Sequence, residues 1–252
     1  MERAIITKIF DNVWQIDDAG ESNSFVIAGK DKAMVIDTVN GMENLQEVVR
    51  TLTDLPLVVV NTHGHCDHIA GNVFFDEIWI HPADEALAQE HYGFFREEME
   101  KQNLTPGRFR FLEVGQVFDL GGVKLEVVSL RGHTAGSVGF LDRGNRVLFS
   151  GDGVIATPWM QLDESMPIST LLDSLTGLKR DFGADFDHVL TGHAKGLTGA
   201  DLVDKLIRGC EEMLRGETGS DRPYHYFAGE ALWHPVEDEN NIGIVYKTEN
   251  LK

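Results

Sequence analysis

His63-Gly64-His65-Cys66-Asp67-His68 follows shortly after the apolar run Leu57 to Val60 and places four metal-ligating side chains within six positions. In an extended loop, residues two apart project to the same side, so His63 and His65 can share one ion. Where the chain then turns, Asp67 and His68 can face a second. Three imidazoles and a carboxylate crowded beside a buried strand are costly to desolvate unless metal ions satisfy them. Lone histidines such as His91 and His188 are instead read as structural. Cys66, alternating with the ligands, is read as a small residue pointing away from the ions.

Three further positions have the same setting, each shortly after an apolar run: His133 after Leu125 to Leu130, Asp152 after Val147 to Phe149, and His193 after Val189 to Leu190. Their local sequences are Gly132-His133-Thr134, Ser150-Gly151-Asp152-Gly153 and Thr191-Gly192-His193. Glycine lets a backbone bend sharply while aiming a side chain into a cleft. Seven ligands are therefore expected to converge on one edge of the sheets.

Working outward, the first third alternates short strand-like runs with turn signals: Ala4 to Phe10, Val13 to Asp17, Ser24 to Ala28 and Ala33 to Asp37. That pattern predicts an antiparallel meander. Leu45, Val48, Val49 and Leu52 recur at helical spacing within Glu43 to Thr53, ahead of the Leu57 to Val60 strand. Residues 83–110, rich in Glu, Gln, Met and aromatics, predict one or two helices ending near Thr105-Pro106-Gly107, a lid-like insertion. A hairpin turning at Gly121-Gly122 opens a second meander: Lys124 to Leu130, Val138 to Leu141 and Arg146 to Phe149. Then come a helix over Ile168 to Arg180, a strand at His188 to Leu190 and a helix over Asp201 to Arg215. Gly216 to Pro223 reads as a loop, and short strands follow around Tyr224 to Phe227 and Ile242 to Tyr246. Strands and helices recurring in a similar order predict an α/β protein with two sheets packed face to face and helices outside them, a single domain over 1–252.

The chain carries 41 acidic against 22 basic residues, a formal charge of −19, so its mean field repels phosphate backbones and no nucleic-acid partner is expected. No run reaches the roughly 18 apolar residues of a membrane-spanning helix, and Met1 to Phe10 carries charges where a signal peptide needs an apolar stretch. Two cysteines, Cys66 and Cys210, are too few for a disulfide framework. These features predict a cytoplasmic protein acting on a small molecule away from membranes; oligomeric state is not readable from them.

The ordered set of His63, His65, Asp67, His68, His133, Asp152 and His193 resembles the metallo-β-lactamase superfamily, whose hallmark His-x-His-x-Asp-His is matched without a gap. The resemblance covers nearly the whole chain; Val35-Ile36-Asp37-Thr38 is similar to the family's early strand ending in Asp, and His81 before Pro82 to a strand end beneath the site. It implies a four-layer αββα sandwich. It also implies that His63, His65 and His133 hold a first metal, that Asp67, His68 and His193 hold a second, and that Asp152 bridges the two. Asp37 is expected to orient the His-rich loop. Two divalent ions, zinc by the mixed nitrogen and oxygen ligation, or else iron or manganese, would share a hydroxide as nucleophile, with Asp67 accepting or orienting its proton.

Departures from subfamily patterns narrow this expectation. Many secreted β-lactamases of the superfamily carry Cys or Ser where Asp152 stands, which disfavours a β-lactamase. Acyl-homoserine-lactone hydrolases have a tyrosine at the position of Ile155, and glyoxalase II ends in a helical domain for which the stretch after His193 is too short and too strand-like. The expected activity is hydrolysis of a small ester, thioester or lactone; the alternative is an iron-dependent enzyme resembling persulfide dioxygenases. Trp159 and Met160, the tail residues Tyr224, His225 and Tyr226, and Phe94, Phe95 and Met99 of the insertion read equally as pocket wall or as packing.

Overall fold

Three sheets, two of them packed face to face over an apolar layer, frame the chain. The computed structural model describes residues 4–41, 43–227 and 229–251, so the first three residues of the charged Met1 to Phe10 stretch lie outside it. The first sheet has seven strands in sequence order: β1 (Ile5–Phe10), β2 (Val13–Asp17), β3 (Asn23–Ala28), β4 (Ala33–Ile36), β5 (Leu57–Val60), β6 (Glu77–Ile80) and β7 (Arg108–Phe111). β1 to β4 form the expected antiparallel meander, and β5, β6 and β7 add to it in parallel.

The second sheet runs β14-β13-β11-β10-β9-β8, built from β8 (Val117–Asp119), β9 (Lys124–Ser129), β10 (Val138–Asp142), β11 (Val147–Gly151), β13 (His188–Thr191) and β14 (Thr198–Gly199). Between the two sheets lies one apolar layer, in which Phe25, Ile27, Met34, Ile36 and Val60 of the first meet Leu125, Val127, Val138, Phe140, Val147, Phe149 and Leu190 of the second. Helix α1 (Leu45–Arg50), whose N-cap Asn44 accepts a hydrogen bond from the Glu47 amide, packs Leu45 and Val49 on the outer face of the first sheet. Helices α5 (Ile168–Phe182) and α6 (Leu202–Leu214) cover the outer face of the second. In α5, Ile168, Leu171, Leu175 and Leu178 are buried on one stripe, the pattern that drives an amphipathic helix onto a sheet. Helix, sheet, sheet, helix is the resulting order, the expected αββα sandwich.

The expected tail strands join two further strands in a third, four-stranded sheet. It runs β12 (Trp159–Met160), β17 (Ile242–Tyr246), β16 (Gly229–Glu237) and β15 (Arg222–Tyr226). Pro223, read as the end of a loop, lies in edge strand β15, where a missing N–H is tolerated. In the stretch 83–110 the helices α3 (Glu85–Tyr92) and α4 (Arg96–Gln102) stop at Asn103, which has φ +54°, and Arg108 already begins β7. The two-residue alternation of Arg108-Phe109-Arg110-Phe111 is the strand signal there. Helix α3 buries Ala88 and Tyr92 against Ile69 and Ile80. The short helix α2 (Cys66–Ile69) ends the His-rich loop, and no described helix is long and apolar enough to cross a membrane.

Strand direction places the site. β11 and β13 are parallel, and β9 runs with them because β10 is antiparallel to both β9 and β11. The carboxyl ends of β9, β11 and β13 therefore share one edge, where His133, Asp152 and His193 follow them. In open α/β sheets that edge is where ligands collect.

Candidate metal centre

Each of the five candidate histidine ligands is aimed by a hydrogen bond on its far side. Thr62 donates its hydroxyl to Asp37 Oδ2 at 2.8 Å, leaving its oxygen to accept from His63 Nδ1 at 3.0 Å. His68 Nδ1 donates to Asp37 Oδ2 at 2.9 Å, His133 Nδ1 to the Trp159 carbonyl at 2.7 Å, and His193 Nδ1 to the Glu21 carbonyl at 2.5 Å. His65 is turned the other way: its Nε2 donates to Glu164 Oε1 at 2.6 Å. Five rings are thus left with a bare nitrogen, and those nitrogens point into the same space. Such outer hydrogen bonds are what fix ring tautomer and orientation at metal sites.

The inward atoms fall into two groups. His63 Nε2 and His133 Nε2 lie 3.1 and 2.8 Å from His65 Nδ1. Asp67 Oδ2 lies 3.3 Å from His68 Nε2 and 3.4 Å from His193 Nε2. Asp152 stands between, with Oδ1 3.5 Å from His68 Nε2, and Oδ2 3.2 Å from His193 Nε2 and 3.7 Å from His133 Nε2. His63-His65-His133, His63-His68-Asp152 and Asp67-His68-His193 each present ligand atoms close enough to share an ion. All seven residues singled out in the sequence are brought together.

The donor set fits divalent cations. His68 Nε2 and Asp152 Oδ1 are buried with no hydrogen-bond partner, a costly arrangement for a buried polar atom unless a cation satisfies both. Burial, reinforced by neighbouring His68, His65 and His133, holds His63 neutral well below the usual histidine range, and burial with His65 beside it lowers His133 to about 4. On the other side, Asp152 draws His193 up to about 9 against the effect of burial. Burial opposes charge on His68 as well, yet Asp67, Asp37 and Asp152 together raise its pKa well above normal. Asp67 is held ionised, since His68 and His193 outweigh the burial that would protonate it. The pocket therefore favours positive charge beside Asp67 and Asp152 and unprotonated nitrogen beside His65.

Close packing of turns explains two glycines. Gly151 has φ +51°, and a Cβ there would collide with the Thr62 side chain; a Cβ on Gly192 would collide with Asp152 Oδ1 and His68 Cε1. Asp37, at the end of β4 with φ +60°, accepts from the Thr62 amide at 2.7 Å as well as from the Thr62 hydroxyl and His68. That backbone conformation is uncommon outside glycine, and here three hydrogen bonds hold it.

Three residues at the site carried no signal in the sequence. Glu164 holds His65 from 99 positions away, and the burial opposing its charge is outweighed by that bond, which brings its pKa down to about 2. His91, read as structural, stacks on His65 with ring centroids 5.1 Å apart and accepts a hydrogen bond from the Cys66 amide at 3.0 Å. Buried Asp84 accepts from the Gly64 amide at 2.9 Å, the Thr134 hydroxyl at 2.7 Å and the Gly136 amide at 2.7 Å, tying the His-rich loop to the His133 turn. His188 lies in β13 apart from the cluster, and His81 caps the turn after β6 by accepting from the Ala83 amide. Asp84→Ala leaves three buried donors without an acceptor, so denaturant unfolding of the metal-free protein is expected to show a loss of about 3 kcal/mol or more. A loss under about 1 kcal/mol would contradict that role.

The family described as metallo-beta-lactamase superfamily matches residues 17–195. The chain is 27% identical over 246 residues to the acyl-coenzyme A thioesterase MBLAC2 of Gallus gallus, covering 87% of this chain and 83% of that one. It is 29% identical over 163 residues to the hydroxyacylglutathione hydrolase GloC of Haemophilus influenzae, covering 59% of this chain and 76% of that one. Among solved structures, a metallo-beta-lactamase from Pontibacter korlensis superposes with a TM-score of 0.65 at 19% identity, over 83% of this chain and 99% of its own, a likeness of fold alone.

Proposed function

The chain belongs to the metallo-β-lactamase superfamily and is a hydrolase of it, and from that premise we propose that it cleaves thioesters at a centre of two divalent ions. His63, His65 and His133 would hold one ion and Asp67, His68 and His193 the other, with Asp152 shared. When bound, the ions would supply Lewis acidity toward the substrate carbonyl and lower the pKa of a water. Zinc suits the nitrogen and oxygen donors; iron and manganese are the competing occupants to assay.

What the chain's own residues contribute follows from their positions. Asp67 is ionised, 29% exposed, and belongs to the second group, where it can orient an attacking water and take its proton in passing. Thr62, Asp37, Glu164 and the carbonyls of Trp159 and Glu21 engage the outer ring nitrogens and so fix which nitrogen of each ring faces inward. A thiolate leaves without prior protonation far more readily than an alkoxide, because a thiol's pKa is near 8.5. Thioester cleavage therefore asks for no dedicated acid.

The observation that carries this reading is the likeness, over 87% of this chain and 83% of the relative, to an acyl-coenzyme A thioesterase. A panel of thioesters, oxoesters, lactones and phosphodiesters, offered to zinc-, manganese- and iron-loaded protein, tests it. Release of free thiol is expected to exceed that of the metal-free protein by at least about tenfold, each factor of ten being about 1.4 kcal/mol of barrier. Turnover of a lactone or phosphodiester with no thiol released, or oxygen consumption by the iron form alone, would replace this reading.

A further inference from the structure

The face of the first sheet that packs on the second turns polar where it reaches the site. Paired residues and those two apart share a face, so Val13 and Gln15 of β2 and Asn23, Phe25 and Ile27 of β3 all point toward the second sheet. Val13, Phe25 and Ile27 join the apolar layer there, whereas Gln15 and Asn23, each 2% exposed, end it in two buried carboxamides. Burying a carboxamide is costly unless its donors and acceptor are bonded. Here they are bonded, to each other and to the loop that carries His193.

Gln15 Nε2 donates to the Ala194 carbonyl at 3.0 Å and to Asn23 Oδ1 at 2.8 Å, and its Oε1 accepts from the Gly196 amide at 2.9 Å. Asn23 Nδ2 donates to the carbonyls of Ala194 at 2.8 Å and Thr191 at 3.2 Å, and the Asn23 amide donates to the Gly192 carbonyl at 2.8 Å. A carbonyl can only accept and an amide N–H only donate, so each carboxamide has one orientation and both its hydrogens are used. Asp17, from the same face, pairs with Lys195 at 3.0 Å. Thr191, Gly192, Ala194 and Gly196 are thus held through their backbone by residues more than 160 positions away.

The turn between β2 and β3 continues the bracket. Its Glu21 carbonyl accepts from His193 Nδ1, and its Ser22 hydroxyl donates to the Asp67 carbonyl at 2.7 Å. His193 is the ligand that most needs a frame: its side chain is 32% exposed, whereas His63, His65, His68 and His133 are buried. The first group is framed from elsewhere, by Thr62, Asp84, Glu164 and the Trp159 carbonyl.

We propose that Gln15 and Asn23 are positioning residues for the second ion: by fixing residues 191–196 they aim His193 and set that ion's affinity apart from the first ion's. This rests on the two-ion reading above.

Titration of the metal-free protein with cobalt(II), followed by visible absorption and by calorimetry, reads the two sites without turnover. The native chain is expected to take up two ions, one of which His193→Ala should lose, identifying the second site. In Gln15→Met, which keeps the length of the side chain and removes its hydrogen bonds, that same ion should bind at least about tenfold more weakly, the lower end of what outer contacts contribute at metal sites, while the first stays within about threefold of native. The absorption gained at the second equivalent should shift as well, since His193 loses its fixed aim. Asn23→Ser should act in the same direction, and either variant decides the matter should the other fail to fold. Lower thermal stability of the metal-free variants with both affinities unchanged, or equal weakening of the two ions, would make the pair structural only and overturn the proposal. Uptake of fewer than two ions by the native chain would instead remove the two-ion reading, and this inference with it.

Discussion

Asp67→Asn is expected to slow turnover by at least about a hundredfold while most of the metal stays bound. Asparagine keeps a carbonyl oxygen for the second group, where His68 Nε2 and His193 Nε2 each lie within 3.5 Å of an Asp152 oxygen. What it loses is the ionised oxygen that takes a proton. Losing a positioned general base typically costs about 10²–10⁴-fold. Metal content and thiol release measured on the same preparation separate the two effects, and near-native turnover of the variant would remove Asp67 from this role.

His133→Ala is expected to cost the first ion outright. Its Nε2 is 2.8 Å from His65 Nδ1, and the Trp159 carbonyl locks the ring, so alanine leaves His63 and His65 as the only two nitrogens beside the shared Asp152. Two protein nitrogens are fewer than the three that zinc sites of this kind use. Elemental analysis should fall from about two ions per chain to about one, with turnover near background. Retention of both ions would show that the two groups are divided differently.

Those two residues were legible because their signal is local. A histidine or aspartate in a glycine turn after an apolar run is visible without knowing the fold, and strand direction alone then gathers such turns on one edge. Glu164 and Asp84 were not legible for the opposite reason: their partners lie 99 and 20 to 52 positions away, and nothing in their neighbours marks them. His91 was read as structural, a sound inference for one histidine on a helix, but α3 packs beside α2 and delivers its ring to His65. In the fold, the two meanders and the amphipathic helices were readable from periodicity. β7 was hidden in a charged, aromatic stretch that also suits a helix, and β16 contains Pro235 and acidic residues that mask its alternation.

Thioester hydrolysis by this chain is proposed to depend on two ions held by these seven residues. Stepwise addition of zinc to the metal-free chain, with thiol release from a single thioester followed at each step, measures it directly. Activity is predicted to be absent without metal and to reach its plateau at about two equivalents per chain. Full activity in the metal-free protein, or none at two or more equivalents of zinc, manganese or iron, would contradict the account.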